Sequence, residues 1–159
     1  MGFAMAKAAV RRGAEVILIS GPSDLMPPHN VRFIKTETAS GMREAVLSNC
    51  MDCDAVIMAA AVADFTPADM SSSKVEKSEA MVLNLVKTPD ILAEIGALKK
   101  RPFLVGFAAE TGQDTSRARR KLIEKGADFI VFNNVASEIS GFDVDTNEIT
   151  IIERDKITP

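Results

Sequence analysis

The chain has one histidine, two cysteines and no apolar stretch long enough to cross a bilayer. Its longest apolar run, Ala55 to Ala63, falls far short of the roughly 20 residues a spanning helix needs. His29 sits in a loop beside Pro27-Pro28, and no serine elbow is present, so no nucleophilic triad can be assembled. Cys50 and Cys53 form one C-x-x-C, readable as a redox pair, as half of a zinc site or as two small residues at a helix end. A second ligand pair is missing, which favours the last of these. Neither G-x-G-x-x-G nor G-x-x-x-x-G-K-S/T occurs, so the dinucleotide fingerprint and the phosphate-binding P-loop are both absent as written. No basic block marks a nucleic-acid surface, since 19 Lys and Arg stand against 22 Asp and Glu for a net charge of -3. The start of the chain is amphipathic, with Lys7, Arg11 and Arg12 spread along it, unlike a secretory leader. The expected compartment is the cytoplasm, with no membrane and no nucleic acid as partner.

What remains is 159 residues, 47% hydrophobic and 26% charged, enough for one domain with a real core. The hydrophobic pattern alternates between helical spacing and short continuous runs, the mark of helices alternating with buried parallel strands. Helices are expected at Phe3 to Arg12, closed by Gly13, and at about Ser40 to Ser48, 88 to 98 and Asp114 to Lys125. Strands are expected at Val16 to Ser20, Val31 to Lys35, Phe103 to Phe107, Asp128 to Phe132 and Ile149 to Glu153. Asp54 to Ala61 is the most apolar run and reads as a central strand covered on both faces. Residues 65 to 85 break the rhythm with prolines, serines and charges, as an excursion or flap would. The fold expected is α/β, a Rossmann-like, doubly wound and mostly parallel sheet. Such a sheet normally begins with a strand and a glycine-rich turn, whereas this chain opens on a helix.

Ligands of open parallel sheets bind beyond the carboxyl ends of the strands. Three such places stand out. Ala59-Ala60-Ala61-Val62-Ala63-Asp64 offers backbone with little bulk and then, in Asp64, an acceptor for ribose hydroxyls or a metal, or else a packed strand end with an acidic turn. Lys87-Thr88-Pro89-Asp90 puts a lysine before a helix start, with Thr88 as a candidate cap and Pro89 at the first position; free amides there would favour a phosphate. In Gly106-Phe107, the glycine leaves room and the ring can stack on a base or belong to the core. Lys74 and Lys77 lie in the flap, while Lys121 and Lys125, four apart, can reach one anion together or simply be solvated.

Taken in order, AAAVADF-x-P (59 to 67), SKVEK (73 to 77), LVKTPDIL (85 to 92), GFAAET (106 to 111) and K-x-x-x-K before GADFIVFNNV (126 to 135) resemble phosphopantothenate–cysteine ligase. The resemblance covers nearly the whole chain. It implies CTP-dependent ligation of cysteine to 4'-phosphopantothenate through an acyl-cytidylate, with Mg2+, for coenzyme A biosynthesis. It places Met58, Ala59, Ala60, Asp64, Lys87, Thr88, Pro89, Phe107, Lys121 and Lys125 at the nucleotide, Lys74 at the triphosphate as the catalytic lysine, and Ala60 with Ala61 at the pantothenate arm. No residue is singled out as a metal ligand. It also implies a homodimer and, in many members, fusion to a flavin-dependent decarboxylase half.

The chain departs from the family twice. The family has an Asn and a Ser-Ser-Gly-Lys turn before the Met-Gly that corresponds to Met1-Gly2, so the resemblance implies a single ligase domain over 1–159, shortened at its amino terminus and lacking the first strand. The flap pattern K-x-K-K is here Lys74-Val75-Glu76-Lys77. Two rival readings stay open: an NAD(P)-binding Rossmann oxidoreductase, which the fold permits, and an inactive nucleotide-binding or assembly module.

Overall fold

In the structure, a computed structural model, the described residues are 1–69, 71, 73, 74, 76, 80–110, 112, 114–134 and 148–158. Helix α1 (Gly2–Arg11) leads through Gly13, at φ +85°, into β1 (Val16–Ser20), which pairs in parallel with β2 (Val31–Lys35). Helix α2 (Ala39–Asn49) starts at Thr38, whose hydroxyl accepts the amide of Gly41 at 3.0 Å. A 3₁₀ turn (Cys50–Asp52) then feeds β3 (Ala55–Met58). A short antiparallel pair follows, β4 (Phe65–Pro67) with β5 (Leu85–Lys87), and then α3 (Ile91–Gly96). The remaining elements are β6 (Phe103–Glu110), α4 (Ser116–Glu124), β7 (Phe129–Asn134), β8 (Ile149–Ile152) and β9 (Ile157–Thr158).

The main sheet runs β3-β6-β7-β8-β9, with β3, β6 and β7 parallel and β8 and β9 antiparallel additions. The mostly parallel α/β architecture expected from the periodicity is what forms. It forms in pieces: among the described residues, no ladder joins the β1-β2 pair to β3. The run from Asp54 to Ala61 is therefore not a central strand. Only Ala55–Met58 pairs, on one side, and Ile57 is 49% exposed because nothing described covers β3's outer edge or that face. Apolar composition reports a strand without reporting its neighbours.

The core lies on the opposite face. Leu104 and Ala108 of β6 with Ile130 and Phe132 of β7 meet Leu92 and Ile95 of α3 and Ala118 and Leu122 of α4. Two glycines permit this approach. A Cβ on Gly106 would stand 2.8 Å from both Leu92 and Ile130, and one on Gly96 would stand 1.9 Å from the Lys125 carbonyl. The room at Gly106 thus admits core side chains and is not open to a ligand, which corrects the expectation for that residue. At the opposite, amino-terminal end of the strands, Asp128 accepts the Arg101 guanidinium and the Leu104 amide, the latter at 2.7 Å. No helix among the described residues is long and apolar enough to cross a membrane.

Candidate functional site

The parallel register sets Met58, the last residue of β3, beside Gly106 of β6. Beyond it, Ala59, Ala60 and Ala61 leave the strand, with Ala60 and Ala61 exposed and Ala59 half-buried against Gly2 at the start of α1. Small side chains there leave backbone within reach of a ligand. Asp64 and Thr88 come together at the root of the excursion, where the Thr88 amide donates to the Asp64 carbonyl at 2.8 Å. The β4-β5 register then pairs Phe65 with Lys87. Both Asp64 and Lys87 are exposed.

The start of α3 differs from what the sequence led us to expect. Asp90, not Thr88, is the N-cap: its carboxylate accepts the Ala93 amide at 2.9 Å, and the helix spans six residues. Thr88 and Pro89 precede the cap, and the Thr88 amide is bonded to the Asp64 carbonyl. A carboxylate already sits on the first-turn amide, so this helix end is not the open phosphate seat proposed for Lys87-Thr88-Pro89-Asp90.

Lys121 and Lys125 do converge on this region, each with a partner of its own. Lys121 Nζ donates to the Phe107 carbonyl at 2.7 Å, and Lys125 Nζ pairs with Asp90 Oδ2 at 2.7 Å. Burial works to raise the Asp90 carboxyl, but the Lys125 hydrogen bond, the Ala93 amide and the charges of Lys125 and Lys121 outweigh it and hold it below the ordinary range. Phe107 is half-buried and, by strand alternation, points away from the helix-covered face that holds Ala108. Lys74 is exposed, and no hydrogen bond or ion pair among the described residues ties it to the crevice. Lys77 lies outside the described residues, as do Thr111 of the GFAAET motif and Val135.

One residue carries a signal that the motifs did not bring out. Asn133, 6% exposed, sits at the carboxyl end of β7 opposite Ala109, and its Oδ1 has no hydrogen-bond partner among the described residues. The Thr88 hydroxyl is likewise buried and has no partner among the described residues. Unpaired buried polar atoms at strand ends call for a ligand or water to complete them. In the sequence, the clue is an abrupt Asn133-Asn134 after the apolar run Phe129 to Phe132.

Two grooves lie elsewhere. One of about 660 Å³ runs between α1 and the loop holding Leu25, Met26 and His29, and one of about 400 Å³ lies along β2 and α2. Neither is lined by a residue of the strand-end crevice. Cys50, 2% exposed at the end of α2, packs as an apolar residue; its thiol faces the Leu47 carbonyl, burial pushes its pKa up, and Cys53 is a free thiol half-buried nearby.

Against known proteins, residues 1–158 match the family described as the DNA/pantothenate metabolism flavoprotein C-terminal domain. The chain is 50% identical over 157 residues to the "Coenzyme A biosynthesis bifunctional protein CoaBC" of Bacillus subtilis (strain 168), covering 98% of this chain and 39% of that protein. It is 40% identical over 166 residues to the protein of the same name from Escherichia coli (strain K12), covering 100% of this chain and 41% of the relative. The chain therefore spans about two-fifths of the length of these relatives. A crystal structure of the C-terminal domain of CoaBC superposes with a TM-score of 0.79 at 39% identity, over 98% of this chain and 69% of that one.

Proposed function

The chain belongs to the family of the DNA/pantothenate metabolism flavoprotein C-terminal domain, and from that premise we propose that it ligates cysteine to 4'-phosphopantothenate at the expense of CTP, in coenzyme A biosynthesis. A carboxylate oxygen of 4'-phosphopantothenate attacks the α-phosphorus of CTP, and pyrophosphate leaves with the electrons of the broken P–O bond. The cysteine amine then attacks the acyl carbon of the resulting acyl-cytidylate, CMP departs, and the amine gives its proton to solvent. No protein nucleophile is needed, so the chain's task is to position the reactants and balance charge.

The observation that carries this reading is the convergence of Lys121 and Lys125 on the carboxyl end of β6, next to a run of bare alanines. In it, Met58, Ala59 and Ala60 line the nucleotide, and Ala60 and Ala61 take the pantothenate arm. Asp64 serves the ribose or cytosine side, Phe107 packs on the base, and Lys87, Thr88 and Pro89 flank it. The unpaired Thr88 hydroxyl and Asn133 oxygen are ready acceptors for nucleotide donors. Lys74 comes to the triphosphate from the excursion.

The described residues hold no cluster of three His, Cys, Asp or Glu. Mg2+ nonetheless fits, because it commonly takes one or two carboxylates with the rest of its shell from phosphates and water. Asp64, an exposed carboxylate at this crevice, would hold it where it does not serve the ribose. When bound, the ion would offset the triphosphate's charge.

The excursion exposes Phe65 (59%), Met81 (62%), Leu83 (61%) and Leu85 (52%), an apolar ribbon suited to a second copy of the chain. A homodimer, and a decarboxylase half elsewhere in the polypeptide, complete the proposal. The test is pyrophosphate release from Mg-CTP with 4'-phosphopantothenate and cysteine, together with thermal shift by CTP against ATP, NADH and NADPH. Lys74→Ala is expected to lower CTP affinity or turnover about tenfold or more, as loss of one charge-stabilising donor does. Unchanged kinetics would remove Lys74 from the site, and a shift with NADPH alone would favour an oxidoreductase.

A further inference from the structure

Asp90 has no part in the ligation chemistry set out above, yet its carboxylate makes two bonds at once. Oδ1 takes the Ala93 amide at 2.9 Å and Oδ2 takes the Lys125 ammonium at 2.7 Å. The first bond fixes Asp90 to α3, which is pinned in turn by Leu92 and Ile95 in the core. The second brings the end of a long, freely rotating side chain to a defined point. Lys125 and Asp90 side chains are only 27% and 39% exposed, so the pair is partly shielded from solvent. Lys121, one turn earlier on α4, is anchored separately by the Phe107 carbonyl, and its charge reaches Asp90 as well.

We infer that Asp90 is a positioning residue for the triphosphate: it holds the Lys125 ammonium beside that of Lys121, so that the two cations meet the incoming anion in a fixed arrangement. The inference rests on the nucleotide reading of this crevice. Two physical effects of Asp90 oppose each other, which makes its role measurable. As a negative charge it lowers the site's net charge and weakens anion binding. As an anchor it restricts Lys125 before the ligand arrives and strengthens binding. Positioning requires the second effect to dominate.

Asp90→Asn separates the two, since Asn caps a helix as well as Asp but cannot pair with an ammonium as an ion. Calorimetric titration with Mg-CTP, and in parallel with inorganic triphosphate, is expected to show Kd about tenfold higher for Asp90→Asn, with the melting temperature of the free protein within a few degrees of the parent. Lys125→Ala should weaken binding similarly, and the double variant should be no weaker than Lys125→Ala alone, because each single change already removes the same interaction. Tighter or unchanged binding by Asp90→Asn, or losses that multiply in the double variant, overturns the inference. If the parent binds inorganic triphosphate in an Asp90-dependent way but not CTP, the nucleotide reading fails and the positioning role stands. Should the parent bind CTP with no dependence on Asp90, the role fails and the reading stands; binding of neither ligand removes both.

Discussion

The crevice draws its residues from two regions built on different principles. Lys121 stands on α4, and Lys125 and Asp90 cap α4 and α3, helices whose apolar faces are buried against β6 and β7; each of the three side chains is bonded to a partner. Lys74 and Lys87 stand on an excursion held by three paired residues on each side, where the large apolar side chains of Phe65, Met81, Leu83 and Leu85 are turned to solvent. In the first region, positions are set by packing inside the chain. In the second, the described residues are held at the root by the β4-β5 pair, and those exposed beyond it are available to a ligand or a second copy. The ligation proposed above, with three substrates to admit and three products to release, would have use for both.

The contrast predicts unequal responses to substitution. The largest is expected at Gly96: an alanine there would force its Cβ to 1.9 Å from a backbone carbonyl that no rotamer change can move, costing about 3 kcal/mol as severe overpacking does. A urea midpoint unchanged in Gly96→Ala would show that α3 and α4 are not locked as described. An intermediate effect is expected at Asp128. The Arg101 hydrogen bond, against the opposing effect of burial and with help from the Leu104 amide, holds this carboxyl below the ordinary range. A depressed carboxyl contributes stability that is present above the unfolded value of about 3.9 and is lost as pH falls through the folded one. With both side chains mostly covered, 23% and 31% exposed, the contribution should be about 1 kcal/mol. Melting temperatures from pH 6 to pH 2 should fall more steeply for the parent than for Asp128→Asn; parallel curves would rule the pair out as a source of acid lability.

The smallest effect on folding is expected in the excursion. Leu85→Lys, at a site 52% exposed, should change stability by no more than about 0.5 kcal/mol. The same change should shift a dimer toward monomer in sedimentation velocity. If it destabilises the monomer as much as a core substitution does, the distinction between the two regions collapses.

Much of the first region was legible because helix and strand periods are local. The ends of α1, α4 and β7 fall within a few residues of where spacing and glycine put them. What spacing cannot carry is the identity of distant partners. Lys121 and Lys125 were visible as a pair on one helix face, but the Phe107 carbonyl and the Asp90 carboxylate that hold them lie 14 and 35 residues away. Spacing leaves the cap of α3 open between Thr88 and Asp90, both capping residues, and it is the Asp90 carboxylate that reaches the Ala93 amide. Gly106 was read as space for a ligand because a missing side chain does not say what fills its place; Leu92 and Ile130 do. Asn133 carries little signal in the sequence, since a polar residue ending a strand is ordinary; burial with no partner among the described residues is what sets its oxygen apart.

The bond from the Thr88 amide to the Asp64 carbonyl, with the Phe65–Lys87 pair next to it, closes the excursion like a drawstring. Everything distal to that knot is tethered at both ends to one point of the crevice. Lengthening a closed loop costs little, about 0.6 kcal/mol for each doubling. Insertions and deletions among residues 68–84 thus cost the anchorage little, provided that Lys74 still reaches the triphosphate, whereas a single residue gained or lost within 64–67 or 85–88 would shift the pairing and turn Lys87 to the other side of the ribbon. Evolution can vary the length of the tether while the anchorage stays in register.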